Sequence, residues 1–173
     1  DERLPSPVYV PREPFETNNE GRVPSFSYLS GGGWGGCEDP RLSQVGDSVY
    51  MTYSAFNGSE APRVALTSIK AEDFANKIWN WKQPVVISPR HEIHKNWVVF
   101  PALFEGKYAI LHSISPRPTI DYFNTLDFDG ETHIQSCYSS RGRDGYWDNW
   151  VRGAGPPPIE TSYGWLLLYH AMD

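Results

Sequence analysis

Two acidic segments carry the residue types with the clearest chemical use. Glu38-Asp39-Pro40-Arg41 sets an acid pair beside a proline and a guanidinium, and Ile159-Glu160-Thr161 sets a single acid after the prolines at 156–158. Two carboxyl groups facing each other across a polar cleft are the minimum for glycoside cleavage: one protonates the departing oxygen, the other activates water or attacks the sugar. Asp39 and Glu160 are therefore the candidate catalytic pair. Each has a plainer reading, since Asp before Pro starts turns and Asp39 could cap its own loop and pair with Arg41. Arg41, Lys95, His112, Asp121, Tyr122 and His170 are the candidate substrate contacts, His112 and His170 reading equally as structural residues at the ends of apolar strands.

Other chemistries find little support. No His-rich spacing marks a metal site, and no Ser or Cys sits in a nucleophile elbow. The run Gly31-Gly32-Gly33-Trp34-Gly35-Gly36 lacks the Lys-Ser/Thr ending of a phosphate loop and precedes no helix, so it reads as a loop that lets backbone approach a ligand. Cys37 and Cys137 read as two buried thiols rather than a disulfide or metal ligands. No cofactor is implied; inorganic phosphate enters only as a co-substrate in one alternative below. Seven Trp and ten Tyr suit a sugar-binding cleft, because aromatic faces stack on sugar C–H faces.

The elements that must position these residues recur along the chain. Around Pro40, Pro101 and Pro158, at spacings of 61 and 57, each proline is followed by a glycine (Gly46, Gly106, Gly164) and then an apolar run. A period of that length built of short strands is the mark of a β-propeller. The expected class is thus all-β, with Asp39, Phe100 and Pro157 at one equivalent position and Tyr53, His112 and His170 ending the matching strands. Ser48–Phe56 and Arg63–Ile69 read as a hairpin turning at Asn57-Gly58, which also forms a glycosylation sequon with Ser59. Lys70–Asn76 reads as a helical turn. Val85–Ile87, Lys107–Ser113, Thr125–Asp129 and Ile134–Ser139 read as further strands, with a turn at Asp129-Gly130. Trp79-Asn80-Trp81 and Trp147-Asp148-Asn149-Trp150 read as aromatic locks between neighbouring blades.

The net charge of −6 argues against a nucleic-acid partner and against adhesion to anionic membranes, and no apolar run approaches the roughly 18 residues of a membrane span. Three units are too few to close a ring of four to eight blades. Residues 1–173 accordingly read as one partial catalytic domain with blades missing on both sides and no visible signal peptide. The compartment, cytoplasmic or periplasmic, and homo-oligomerisation of the full-length protein are left open.

The segments Gly36-Cys37-Glu38-Asp39-Pro40-Arg41, Phe100-Pro101-Ala102-Leu103-Phe104-Glu105-Gly106-Lys107-Tyr108 and Gly153-Ala154-Gly155-Pro156-Pro157-Pro158-Ile159-Glu160-Thr161, continuing into Gly164-Trp165-Leu166-Leu167-Leu168-Tyr169-His170, closely resemble glycoside hydrolase family 130, the β-mannoside phosphorylases and β-mannosidases. The resemblance implies a five-bladed β-propeller, of which this chain covers about three blades, and a β-mannoside oligosaccharide as partner. It also implies an inverting reaction of bacterial-type glycan utilisation, with Asp39 as the catalytic acid. Phosphorylases of the family carry a His-Arg pair and an Ile-Lys-Thr among their phosphate contacts. Here those positions read His112-Ser113 and Ile159-Glu160-Thr161. A like charge about 4 Å from phosphate costs on the order of 4 kcal/mol at an effective dielectric of 20, roughly a thousandfold in affinity. The expectation is therefore hydrolysis of β-mannosides, β-1,2-linked as in the matching branch, with Glu160 as general base. The alternatives are a phosphorylase releasing mannose 1-phosphate, and a non-catalytic carbohydrate-binding propeller.

Overall fold

The computed structural model describes residues 3–18 and 35–173. Gly31–Trp34 of the glycine run fall outside the described residues. After a 3-10 turn at Pro14–Glu16, strands β1 (Gly36–Val45), β2 (Ser48–Phe56), β3 (Arg63–Lys70) and β4 (Val85–Val86) form an antiparallel sheet in sequence order. A short helix, Ala71–Ala75, sits between β3 and β4. Strands β5 (Val98–Val99), β6 (Tyr108–Ser113) and β7 (Thr119–Phe123) make a second sheet. Further on, β8 (Trp150–Ala154) pairs with β11 (Tyr169–Met172), and β9 (Ile159–Thr161) with β10 (Gly164–Leu166). The class is all-β as expected; the sheets do not close on one another.

Alternation along the strands explains the stacking. On β2, Val49, Met51, Tyr53 and Ala55 face one way and join Ala65, Ile69 and Trp81 in a layer capped by Tyr9, Phe15, Phe74 and Trp79. From the other face of this sheet, Val45, Val64, Leu66 and Ile87 meet Trp97, Val99 and Ile110 of the second sheet. On β6 both faces are covered: Ala109 and Leu111 join Val98, Phe100 and Ala154, with Trp165 packed against them. Ile87 and Ile110 are fully buried, each contributing about 1.5–3 kcal/mol by removal from water. The first two sheets therefore pack face to face, which suits strands with period-2 patterning buried on both sides.

Several local expectations are corrected. The link from β2 to β3 is not a two-residue turn; it runs over 57–62, and the Asn57 side-chain oxygen accepts from the amides of Ser59 and Glu60. Asn prefers this use of its side chain where a loop has room. Thr125–Asp129 and Ile134–Ser139 form no strands, although the Ile134 amide donates to the Ile87 carbonyl and the Asp129 side chain holds the expected turn at Gly130. The tryptophan pairs are not equivalent locks between sheets. Trp79 and Trp81 pack against Phe74, and Trp81 donates to the Val8 carbonyl, so they bind the N-terminal segment to the first sheet. Trp147 is exposed and stacks on Tyr169. Instead, Tyr50 and Tyr108 meet edge-on at 5.6 Å between the first two sheets. Cys137 is exposed rather than buried, Cys37 is half-buried, and both are free thiols.

The prolines are also not in one register. Pro40 lies inside β1, whereas Pro101 follows β5 and Pro158 falls between β8 and β9. Strand pairing sets Tyr53 across from Asp39–Pro40 and His170 across from Gly153, and the Trp97 ring lies 5.4 Å from that of His112. Tyr53, His112 and His170 lie within β2, β6 and β11 rather than ending them, and they face Asp39–Pro40, Trp97 and Gly153, not Asp39, Phe100 and Pro157.

Candidate active site

Asp39 sits where the β1–β2 ladder slips: Glu38 pairs with Ser54 and Arg41 with Thr52, so Asp39 and Pro40 together oppose Tyr53. Such a bulge bends the strand and re-aims a side chain. Asp39 takes the left-handed backbone conformation, φ 53°, and its carboxylate is half-exposed. Lys95, its side chain 8% exposed, places Nζ 4.0 Å from Asp39 Oδ2. Burial pushes the Lys95 ammonium down, the Asp39 charge opposes this, and Arg152 and Arg41 reinforce it.

Arg41 is held from several sides. Its Nη1 donates to the Asp39 carbonyl at 3.0 Å and its Nη2 to Asn96 Oδ1 at 3.0 Å. Asn96 is itself left-handed at φ 63°, and its Nδ2 donates to the Arg152 carbonyl at 2.9 Å. One amide side chain thus ties β1, the approach to β5, and β8. Gly153 makes room for it, since a Cβ there would come 2.7 Å from that of Asn96. His170 pairs with Gly153 in the ladder and lies in the field of Asp39. Partial burial and the charges of Arg41, Arg152 and Lys95 keep its imidazole below the usual value, with Asp39 opposing.

The other candidates divide. His112 is buried; its Nδ1 contacts Ser136 Oγ at 2.9 Å and its Nε2 lies 3.5 Å from Asp121 Oδ2. Burial holds this imidazole down, with Asp121 opposing. His112 lines a small cavity with Lys95, Asn96, Ser113 and Arg152, which joins it to the wall of the Asp39 group. Tyr122 points elsewhere, meeting Phe104 at 5.9 Å. Glu160 is exposed on β9, across from Trp165, and its side chain forms no hydrogen bond or ion pair with the described residues. It lies one residue from Thr161, the pair next to its hairpin turn, while Asp39 lies six residues from Val45, the pair next to its own. The structure thus groups Asp39, Arg41, Lys95 and His170 and leaves Glu160 outside that group.

Asn96 and Arg152 belong to the group and went unnoticed in the sequence. The signal available for Asn96 was its type, since Asn tolerates positive φ, placed just before the apolar run Trp97–Phe100. No group of three or more His, Cys, Asp or Glu side chains suited to a metal occurs among the described residues.

Stacked antiparallel sheets with an acid on a bulge, flanked by Arg41, Lys95 and the Asn96 amide, make this an all-β protein with a polar site at a strand irregularity. The family model described as beta-1,4-mannooligosaccharide phosphorylase matches residues 28–173, and the chain belongs to that family, glycoside hydrolase family 130. It is 29% identical over 142 residues to a 1,2-beta-oligomannan phosphorylase of Thermoanaerobacter sp., covering 80% of this chain and 43% of that one. It is 30% identical over 146 residues to a beta-1,2-mannobiose phosphorylase of Listeria innocua, covering 78% and 36%. The chain thus spans less than half the length of these relatives. Among solved structures, a putative glycoside hydrolase from Parabacteroides distasonis superposes with a TM-score of 0.63 at 21% identity, over 98% of this chain and 49% of that one. A second, described among "glycoside hydrolases that target beta-1,2 mannosidic linkages in Candida mannan", also gives 0.63, at 20% identity over 98% and 47%.

Proposed function

We propose that this chain is part of a β-propeller enzyme, five-bladed when complete, that cleaves β-mannosides, β-1,2-linked, with inversion and with water as acceptor. The observation that carries it is Asp39: an exposed carboxyl on a bulge, with a buried ammonium 4.0 Å away and an arginine locked beside it. Asp39 delivers the proton to the departing oxygen, and Arg41, Lys95 and His170 contact the sugar.

Support for water over phosphate comes from Ser113 and Glu160. Ser113 Oγ donates to the Ser115 carbonyl at 2.8 Å, so a short neutral side chain stands where family phosphorylases carry an arginine. Glu160 adds negative charge where they carry a lysine. The assignment of Glu160 as base rests on that exchange of charge, not on proximity to Asp39. A second reading, phosphate as acceptor, is favoured by the three cations Arg41, Lys95 and Arg152 around Asp39 and by the two relatives above, both named as phosphorylases.

The full-length protein incubated with β-1,2-mannobiose decides between them. Release of mannose at a rate independent of added phosphate supports hydrolysis. Phosphate-dependent formation of mannose 1-phosphate makes the enzyme a phosphorylase, and no turnover under either condition removes the enzymatic reading.

A further inference from the structure

Glu16 is a buried acid that the proposed chemistry does not use. Its side chain is 0% exposed, in the N-terminal segment that lies against the first sheet. Oε1 accepts from the Tyr53 hydroxyl, from the Tyr9 hydroxyl at 2.9 Å and from Cys37 Sγ at 3.3 Å. Oε2 accepts the amides of Arg12 at 2.8 Å and Glu13 at 2.9 Å. All five contacts are donors. An ionised carboxylate, acceptor-only, satisfies them together, whereas a neutral amide that keeps its oxygen on the two backbone amides must turn its hydrogens toward Tyr53, Tyr9 and Cys37, which then have to switch from donating to accepting.

Two of those donors bracket Asp39. Cys37 lies two residues upstream on β1, and Tyr53 is the residue that Asp39 and Pro40 jointly oppose. A single carboxylate therefore grips both the strand that carries the bulge and the strand that faces it. Bulges set side-chain direction, and a proton donor misplaced by a fraction of an ångström delivers poorly.

We propose that Glu16 is a positioning residue for proton delivery: through Cys37 and Tyr53 it fixes the Asp39 bulge, and removing its charge slackens the aim of the Asp39 carboxyl. The inference rests on Asp39 being the proton donor. The consequence is selective, because only a poor leaving group needs that proton. A mannose leaving group must be protonated as it departs, while 2,4-dinitrophenolate departs without help.

The test compares full-length wild type, Glu16→Gln and Asp39→Asn on β-1,2-mannobiose and on 2,4-dinitrophenyl β-mannoside. Glu16→Gln is expected to lower kcat on the disaccharide about tenfold, with KM and the aryl-mannoside kcat each within about twofold of wild type, a milder copy of the Asp39→Asn pattern. Equal losses on both substrates, or no loss on the disaccharide, overturn the proposal. If Glu16→Gln does not fold, Tyr53→Phe removes one of the two bracketing donors; a smaller split in the same direction supports the inference, and its absence overturns it. If Asp39→Asn itself shows no split, the proton-donor reading and this inference fall together. If Asp39→Asn splits the substrates and Glu16→Gln does not, only the inference about Glu16 falls.

Discussion

Asn96 Oδ1 accepts a hydrogen bond from Arg41 Nη2 at 3.0 Å while its Nδ2 donates to the Arg152 carbonyl, so one buried amide just ahead of β5 fastens the first sheet to the β8–β11 pair. Arg41 Nε is already buried without a partner, which leaves little to compensate if this amide goes. Asn96→Ala is expected to cost about 1–3 kcal/mol through the unpaired guanidinium and carbonyl, and more because alanine resists positive φ. Urea unfolding of the full-length protein measures it; a change below about 0.5 kcal/mol, the scale of an ordinary surface substitution, contradicts the clasp.

Asp39→Asn separates chemistry from folding at the bulge. Asn is among the few residues at ease at a φ of 53°, so far-UV circular dichroism should not change. Turnover of unactivated mannosides should fall by about two to four orders of magnitude, the usual contribution of a general acid. A variant retaining near wild-type kcat on mannobiose would move the acid elsewhere.

The acceptor is open to manipulation by charge. The double variant Ser113→Arg/Glu160→Lys restores cations at the two positions where family phosphorylases carry them. It is expected to make turnover respond to phosphate and to yield mannose 1-phosphate, detectable by phosphorus NMR. Glu160→Gln alone should abolish hydrolysis, with partial recovery by azide. Unchanged turnover removes Glu160 as the base.

The imidazole of His94 gives stability a pH limb. Burial first, then the charges of Arg63 and His112, push it down from 6.5 to about 4. Between those values the unfolded chain holds a proton that the folded one refuses, so stability drops as pH falls through that window, by up to about 1.4 kcal/mol per pH unit. Glu16 continues the decline below it: burial alone would raise its carboxyl, but donors from Arg12, Tyr53, Glu13 and Tyr9 outweigh this and hold it below 4.5. Urea midpoints of His94→Gln should vary less than wild type between pH 6.5 and 4. An identical slope would remove His94 as the cause.

The parts of the fold that could be read from the sequence are those whose cause is local. Alternation over Ser48–Phe56 marks β2 residue for residue, and the Lys70–Asn76 reading holds the helix Ala71–Ala75. The apolar residues of Ile134–Ser139 and Thr125–Asp129 look like strands, yet Leu126 and Ile134 reach the core from irregular chain. At the site, Asp39 and Arg41 were visible as residue types flanking Pro40, and Lys95 as a basic residue ahead of the apolar run Trp97–Phe100. Asn96 and Glu16 were not, because their meaning lies in partners 55–56 and 21–37 positions away. The register shift that separates Pro40 from Pro101 and Pro158 was hidden for the same reason: a bulge leaves the proline spacing intact and changes what each proline opposes.

The left-handed turn of the backbone at Asp39 narrows what evolution or a protein engineer can place there, independent of reactivity. Threonine, valine and isoleucine are shut out by their branched Cβ, and a longer acid, although Glu105 adopts a φ of 50°, would carry its carboxyl one methylene further out. Of the three residues that visit it routinely, glycine, asparagine and aspartate, one carries a titratable proton. Moving the proton donor in this scaffold would therefore mean rebuilding the local chain path first and choosing a new side chain second.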